Sequence, residues 1–344
     1  MLQILLELCG NKSKMKEKIL IMLPTGKTGY LTTVELLREG YPVKIYARSR
    51  NRKAMELEKL GAEVAIGALN SLPQLLNALK DVRKVYYNHP IMPGMAENVE
   101  IFIHAAEISK IEAIVFMGQR IAEFDDTGSA LTNSVRQSYA LFEGSGLNVV
   151  YFVPGYFAEN AFVTIEWVLQ LGMMPNPFGK GKNPWISNGD MGRSIAALLK
   201  NPAPYFGKKL FPTGPRSISP VEMAEIFAKE SGRKIRVVPT PDWLFLKGGM
   251  MGRKKLGYDT YTIVQASIYN RQMQLNRFDI EPTDVVKHLT ARDPEDFETI
   301  TKSYFSNSPY RKRTIFAWLS AMIKFMIMPF TPIPNAKKIA GINR

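Results

Sequence analysis

Cysteine is almost absent from this sequence, and histidine is scarce. Cys9 is the only cysteine among 344 residues, which excludes a disulfide framework and a cysteine-rich metal site and is typical of a reducing compartment. The three histidines, His89, His104 and His288, are too dispersed in the sequence for a zinc motif. We therefore expect a cytoplasmic protein without a metal site.

Acidic residues are also fewer than basic residues. The chain contains 45 Lys and Arg but only 31 Asp and Glu, so its formal net charge is +14. This excess favours an anionic partner, namely a nucleotide phosphate, a nucleic acid or an anionic membrane surface. No recognition-helix or zinc motif accompanies the charge, so we expect no nucleic-acid binding. The opening segment MLQILLELCG lacks a basic region and includes Glu7, which makes it a poor signal peptide.

From Lys18 onward, short apolar runs alternate with amphipathic segments, as in KILIML, TTVELLREG, PVKIYAR and AMELEKLG. This alternation is typical of βαβ units in a parallel sheet. We predict an α/β fold with a Rossmann-type, doubly wound parallel sheet over residues 18–155 and a smaller C-terminal α/β substrate subdomain over 156–307. Residues 1–17 are interpreted as an N-terminal extension, and 308–344 as an apolar and basic helical tail.

A glycine-rich segment, LPTGKTGYLT at residues 23–32, joins the first apolar run to the first helical pattern. A glycine pair after a strand is often only a turn, but its place at a strand-to-helix junction favours a phosphate cradle. The first glycine would permit the tight turn and the second the close approach of a pyrophosphate, while the helix N-terminus directs N–H groups at the anion. The candidate cofactor-binding residues of this loop are Thr25, Gly26, Lys27, Thr28, Gly29 and Tyr30.

The second predicted strand, PVKIYARSRNRK, has no acidic residue to bind a ribose 2′-hydroxyl. Arg48, Arg50, Arg52 and Lys53 stand there instead, which favours NADP(H) over NAD(H). The alternative is a solvated basic loop, which is common in so cationic a chain. Arg48, directly after the strand, and Lys53 are the candidates for contact with a 2′-phosphate.

These motifs resemble the NmrA-like branch of the atypical short-chain dehydrogenases/reductases. The resemblance rests on TGKTGYL, ARSRNRK, GAEVAIGAL and SGLNVVYFVPGYFAENAF, and it covers roughly residues 18–305. It implies a Rossmann domain that binds NADP(H) and a smaller part that closes over a substrate pocket. The remaining cofactor candidates follow the third, fourth and fifth predicted strands and are Leu69, Asn88, Met117 and Gly118.

The sequence departs from the family pattern in several places. Thr32 replaces the third glycine, which predicts a slightly wider helix–sheet spacing. Ala68-Leu69 replaces the Asp-Leu pair that the resemblance places near adenine. The YxxxK pair is absent, and Val135 stands where NmrA-like enzymes can carry a Lys or His.

Two residues are therefore candidates for the missing proton source. His89 follows the fourth predicted strand, and Tyr156 lies in PGYFAEN, where the two parts of the chain meet. The alternatives are a histidine that only caps the strand end and a tyrosine that only packs in the core.

The tail YRKRTIFAWLSAMIKFMIMPFTPIPNAKKIAGINR contains no Asp or Glu. Its apolar run over 314–330 is too short to span a bilayer and ends in prolines, which favours an interfacial anchor. The cations at both ends of the run would meet anionic headgroups, and within 311–338 they are Arg311, Lys312, Arg313, Lys337 and Lys338. The alternative is packing on the protein's own domain or across a homodimer. Residues 242–255, with Gly248 and Gly249 as a hinge, are a candidate second surface or a lid.

Together these features favour an NADP(H)-dependent oxidoreductase, peripheral to a membrane, that acts on a hydrophobic carbonyl, a quinone or an isoprenoid- or sterol-like small molecule. The missing acid–base pair keeps a second interpretation open. This is a non-catalytic regulator that senses NADP(H) and binds a protein partner.

Overall fold

A computed structural model describes residues 16–333, 335, 336 and 339. The strands within these residues are β1 Lys18–Met22, β2 Val43–Ala47, β3 Glu63–Ile66, β4 Val82–Tyr87, β5 Ala113–Met117, β6 Val149–Phe152, β7 Met173–Asn176, β8 Lys209–Leu210 and β9 Arg236–Pro239. Seven of these described strands form one sheet in the order β3-β2-β1-β4-β5-β6-β8, with every neighbouring pair parallel, and β7 pairs with β9 in a separate parallel ribbon.

Helices connect the strands and cover both faces of the sheet. They are α1 Lys27–Arg38, α2 Arg52–Lys59, α3 Leu72–Ala78, α4 Met95–Ile108, α5 Ala130–Gly144, α6 Ile165–Leu171, α7 Asn188–Lys200, α8 Pro220–Ser231, α9 Asp242–Leu256, α10 Thr260–Gln274, α11 Val285–Thr290, α12 Phe297–Ser306 and α13 Ile315–Ile327. Short 3-10 helices lie at Arg120–Glu123, Ala158–Thr164, Ala203–Tyr205 and Met328–Phe330.

The apolar strands explain why the sheet is doubly wound. In β1, Ile19 and Ile21 are buried on one face of the sheet while Leu20 and Met22 are buried on the other. A strand that is apolar on both sides needs helices on both sides, which a parallel sheet provides through its crossovers. The prediction of a doubly wound parallel sheet is confirmed. Because β1 lies between β2 and β4, the strand order reverses beside it, and a ligand crevice is expected at its carboxyl end.

Helix α7 belongs to the sheet layer although it lies after the predicted boundary at residue 155. Its Gly192 faces α1 so closely that an added Cβ would lie 2.7 Å from Leu31 Cβ and 3.2 Å from Thr32 N. Thr32, expected to widen the helix–sheet spacing, is fully buried. The absence of a side chain at 192 therefore lets the two helices approach. The domain boundary at residue 155 stays a prediction. Two elements that follow it belong to the sheet layer, since α7 packs on the main sheet and β8 pairs with β6.

Helix α9 occupies the segment expected to be a lid, and its glycines lie in mid-helix. An added Cβ at Gly249 would lie 2.7 Å from Ile263 Cγ2 of α10, and one at Gly248 would lie 3.0 Å from Met328 Sδ. The hinge interpretation of this pair is therefore wrong, because the glycines serve close packing.

The apolar run of the tail forms α13, which packs on α6. The rings of Trp167 and Phe325 meet edge to face at 5.8 Å, and Lys324 Nζ lies 2.5 Å from Glu166 Oε1. In the part of the chain that the structure covers, the helices are all too short or too polar to cross a bilayer. Lys337 and Lys338, named above as flanking cations, lie outside the described residues.

Candidate functional site

The glycine loop turns sharply from β1 into α1. The N–H of Gly26 donates to the Leu23 carbonyl at 3.1 Å, and Leu23 itself takes a positive φ of 52°. Gly26 is the N-cap of α1, where no side chain caps the helix and the first turn carries no acidic residue. Free N–H groups at such a helix end are suited to bind an anion.

Gly29 has a structural reason to be glycine besides the expected approach of a pyrophosphate. An added Cβ would lie 2.4 Å from the Leu23 carbonyl oxygen and 3.1 Å from Pro24 Cα, whereas at Gly26 the nearest atom is 3.3 Å away. A side chain at 29 would thus push the turn apart before any ligand arrived.

Thr28 and Asn88 meet at the crevice beside β1. The Thr28 hydroxyl lies 3.1 Å from the Tyr86 hydroxyl, and Asn88 Nδ2 donates to Thr28 Oγ1 at 3.4 Å. Full burial raises the pKa of Tyr86, so its hydroxyl stays protonated. This network ties the start of α1 to the end of β4. Tyr86 was missed by sequence reasoning because a tyrosine inside a buried strand gives no signal of a polar role.

The structure separates the four cations after β2. Arg50 forms an ion pair with Glu58 at 2.6 Å, and Arg52 forms one with Glu56 at 3.1 Å. Lys53 Nζ donates to the Thr25 carbonyl at 3.1 Å and lies over the ring of Tyr30. Arg48 is exposed and has no hydrogen-bond or ion-pair partner within the described chain. Of these four cations, Arg48 is the one that, in the described part of the chain, remains free to bind an anionic group.

Lys27 of the glycine loop has a buried carboxyl group, that of Glu159, in its vicinity, and sequence reasoning missed Glu159. Burial lowers the pKa of Lys27, while the charge of Glu159 opposes that effect. Glu159 Oε1 accepts the Asn188 N–H at 2.8 Å, and its Oε2 is buried without a partner in the region described. Burial raises the pKa of Glu159. PGYFAEN thus brings a buried carboxyl group close enough to Lys27 for their charges to interact, an approach between residues 132 positions apart that only folding reveals.

Three further predicted cofactor residues lie after β3 and at the end of β5, which β2, β1 and β4 separate in the sheet. Leu69 is half-buried and packs against the core beside β3. Met117 ends β5, and Gly118 donates its N–H to the Phe152 carbonyl at 2.8 Å. An added Cβ at Gly118 would lie 2.1 Å from the hydroxyl of Tyr139, which accepts the Gln119 N–H. Tyr139 on α5 is a further buried polar group that the sequence did not single out.

His89 lies at the crevice edge, with both ring nitrogens bonded to the protein. Nδ1 is 2.7 Å from the Pro90 carbonyl and must donate to it, so Nε2 accepts from Asn98 Nδ2 at 2.9 Å. Burial lowers the pKa of this imidazole, which favours the neutral ring. The catalytic role of His89 stays a prediction, and it requires Asn98 to release Nε2.

Tyr156 lies in the core of the C-terminal part. Its hydroxyl donates to Asn270 Oδ1 at 2.5 Å, and full burial raises its pKa. Its ring contacts Phe178, Trp185, Tyr269 and Phe278. The structure therefore does not bring Tyr156 together with the loop residues, and its catalytic role also stays a prediction.

The residues at the β1 crevice fit a dinucleotide. The uncapped N-terminus of α1 suits a pyrophosphate, and Arg48, unpaired among the described residues, suits a phosphate on the adenosine side. The described residues contain no cluster of His, Cys, Asp and Glu that could hold a metal ion. Fold and site together define a doubly wound α/β protein of the dinucleotide-binding class.

Comparison with known proteins gives the family. The sequence profile of the NmrA-like family matches residues 15–297, and the chain belongs to that family. An NAD(P)H azoreductase of Xenophilus azovorans is 29% identical over 223 residues, which cover 63% of this chain and 76% of the relative. The family resemblance drawn from the motifs is confirmed.

Solved structures share the fold at low sequence identity. The NADPH-dependent quinone oxidoreductase of Escherichia coli, complexed with NADPH, superimposes with a TM-score of 0.71 at 18% identity, covering 83% of this chain and 99% of that one. NmrA, a negative transcriptional regulator in complex with NAD, superimposes with a TM-score of 0.69 at 14% identity, covering 85% and 96%. At these identities the likeness shows the fold alone.

Proposed function

We propose that this protein is an NADP(H)-dependent oxidoreductase that reduces a hydrophobic substrate: a carbonyl compound, a quinone or an isoprenoid- or sterol-like molecule. The observation that carries the proposal is the end of β2, where an exposed and, in the described chain, unpartnered Arg48 replaces the acidic residue of an NAD site. The azoreductase relative, which is named for NAD(P)H, supports the class of reaction.

The chain's own groups would hold the cofactor in one fixed position. The first N–H groups of α1 and the Lys27 ammonium would bind the pyrophosphate. Arg48 would bind the 2′-phosphate, helped by the Lys53 N–H donors that the Thr25 carbonyl leaves unused. The Thr28–Tyr86–Asn88 network keeps the start of α1 against β4, so the cradle is formed before the ligand arrives. Bound NADPH supplies a hydride.

The source of the proton decides among the substrates. Val135, where a donor would be expected, is buried and apolar. A carbonyl substrate needs a positioned acid, for which His89 and Tyr156 stay the proposed groups. A quinone does not, because hydride addition gives a hydroquinone anion that takes one proton from water. The geometry therefore favours a quinone or a similar two-electron acceptor within the proposed class.

We further propose that the protein lies on the cytoplasmic face of an anionic membrane. A hydrophobic acceptor dissolved in lipid would then reach the crevice without crossing water.

The test is NADPH oxidation by the purified protein with a short-chain quinone, an azo dye and a hydrophobic ketone. We expect turnover with the quinone and slower turnover when NADH replaces NADPH. Arg48→Glu should lower the rate with NADPH and leave the rate with NADH unchanged or higher, because a carboxylate there can accept a hydrogen bond from the ribose 2′-hydroxyl. The reductase proposal fails if NADPH binds in calorimetry but none of the acceptors is reduced.

That outcome would favour the second candidate, a non-catalytic NADP(H) sensor that binds a protein partner. The specific observation behind it is that the polar atoms of His89 and Tyr156 are already bonded to the protein. A sensor should discriminate NADPH from NADP⁺ in affinity, which the same calorimetry measures.

A further inference from the structure

Helix α13 has one face packed on the protein and one face exposed. Ala321 lies on the packed face of the helix and is fully buried, and Met328 is buried in the turn that follows. The exposed face consists of apolar side chains that fall within about 120° around the helix axis at 3.6 residues per turn. They are Ile315, Phe316, Leu319, Ile323, Met326 and Ile327, and they form what we name the α13 face.

Phe330 extends the α13 face beyond the end of the helix. It is 85% exposed, and Phe316 at the other end is 81% exposed. Lys247 Nζ donates to the Pro329 carbonyl and, at 3.0 Å, to the Thr331 carbonyl, which fixes the turn that carries Phe330. Single exposed apolar residues are ordinary, but a contiguous row held on a rigid helix marks an interaction surface.

The charges beside the α13 face are cationic. Arg311, Lys312 and Arg313 are exposed and come directly before the helix begins at Ile315. Cations at a helix N-terminus oppose the helix dipole, so these three are not placed to stabilise α13. Residues 308–344 contain no Asp or Glu. An apolar face with a basic border fits a partner that is apolar within and anionic at its surface.

We propose that the α13 face docks on an anionic lipid bilayer, with α13 lying in the plane of the interface and the three cations meeting lipid headgroups. Such a helix inserts its apolar side chains at the boundary between headgroups and acyl chains. Docking is peripheral, since none of the helices described is able to cross a bilayer.

A second copy of this chain fits the α13 face less well. The formal charge of +14 makes two copies repel each other, whereas it attracts the protein to an anionic surface.

The experiment is sedimentation of the full-length protein with vesicles of phosphatidylcholine, alone or mixed with phosphatidylglycerol. We compare Phe316→Asp/Phe330→Asp with the control Leu60→Asp/Leu275→Asp, whose leucines are 54% and 55% exposed elsewhere on the molecule. Both variants change the net charge equally. Only the first should lose binding, by roughly tenfold or more, and wild-type binding should weaken in high salt without vanishing.

Three outcomes overturn the proposal. In the first, the wild-type protein stays in the supernatant at low salt. In the second, both double variants lose binding equally, so that the loss is caused by the added negative charge and not by the α13 face. In the third, sedimentation velocity shows a wild-type dimer that Phe316→Asp/Phe330→Asp converts to a monomer. Vesicle binding requires no turnover, so its failure and a failure of the proposed reduction are distinguishable.

Discussion

Arg48 and Arg52 belong to the same basic turn but differ in their partners. Arg52 is paired with Glu56, whereas Arg48 has no partner among the described residues. A charge-assisted contact with a phosphate contributes on the order of 1.5–3 kcal/mol, so Arg48→Ala should weaken NADPH binding roughly tenfold or more and leave NADH binding unchanged. Arg52→Ala is the matched control and should change neither. Titration calorimetry measures both affinities, and equal binding of the two nucleotides by the wild-type protein would refute the assignment.

His89 gives the stability of the protein a pH dependence. Because burial lowers its pKa, the folded state keeps the ring neutral where the unfolded chain has begun to bind a proton. Its contribution is therefore complete above the unfolded pKa of about 6.5 and is lost as the pH falls toward the folded-state pKa. We expect Tm to fall between about pH 7 and pH 5, and to fall less in His89→Gln.

His104, whose side chain is 62% exposed, supplies the control variant His104→Gln, which should keep the wild-type pH profile. An unchanged profile in His89→Gln would exclude the linkage. Turnover measured on the same variant addresses the catalytic hypothesis: a large loss of kcat at a retained Tm would support His89 as the proton source.

At the scale of the helices, Gly192 sets the distance between α7 and α1. Gly192→Ala would place a Cβ 2.7 Å from Leu31 Cβ and 3.2 Å from the Thr32 backbone nitrogen, and overpacking of this kind costs about 1–3 kcal/mol. Gly144 at the end of α5 has open space around it, so Gly144→Ala should be neutral or stabilise by up to about 1 kcal/mol. Urea denaturation measures the free energy of unfolding of both variants. Equal values would show that α7 can move away from α1 without loss of stability.

The elements also show what a sequence reveals and what it leaves hidden. The glycine loop, the basic turn and the parallel sheet were predictable, because each rests on neighbouring residues or on a local period. The fit of Gly192 against Thr32 and the approach of Glu159 to Lys27 were not, because each joins residues more than a hundred positions apart. Gly248 and Gly249 misled because their partners, Met328 at 80 positions and Ile263 at 14 positions, belong to other elements, and without them a glycine pair resembles a hinge.

At the scale of the whole molecule, one side of the tail helix α13 packs on the fold and its other side is exposed. Phe325 packs on Trp167, and Lys324 pairs with Glu166, which also pairs with Lys255 at 3.5 Å. Deleting residues 311–344 would therefore uncover α6 and leave the largely buried Glu166 with only the longer ion pair to Lys255, so a truncated chain would test stability as much as docking. Substitutions confined to the exposed α13 face avoid this problem, because they leave the packed side of the helix intact.

The α13 face and the crevice should then act together on a substrate dissolved in lipid. If docking concentrates the enzyme where the substrate is, Phe316→Asp/Phe330→Asp should raise the apparent KM for a long-chain quinone in phosphatidylglycerol-containing vesicles by roughly tenfold, in proportion to the lost binding. The KM for a water-soluble quinone and the affinity for NADPH should stay at their wild-type values, because the crevice lies at the end of β1 and not on α13. Steady-state kinetics with both quinones, repeated on Leu60→Asp/Leu275→Asp, separates delivery from catalysis. A parallel rise in both KM values would mean that the substitutions disturb the site itself, and no rise in either would mean that docking plays no part in delivering the substrate.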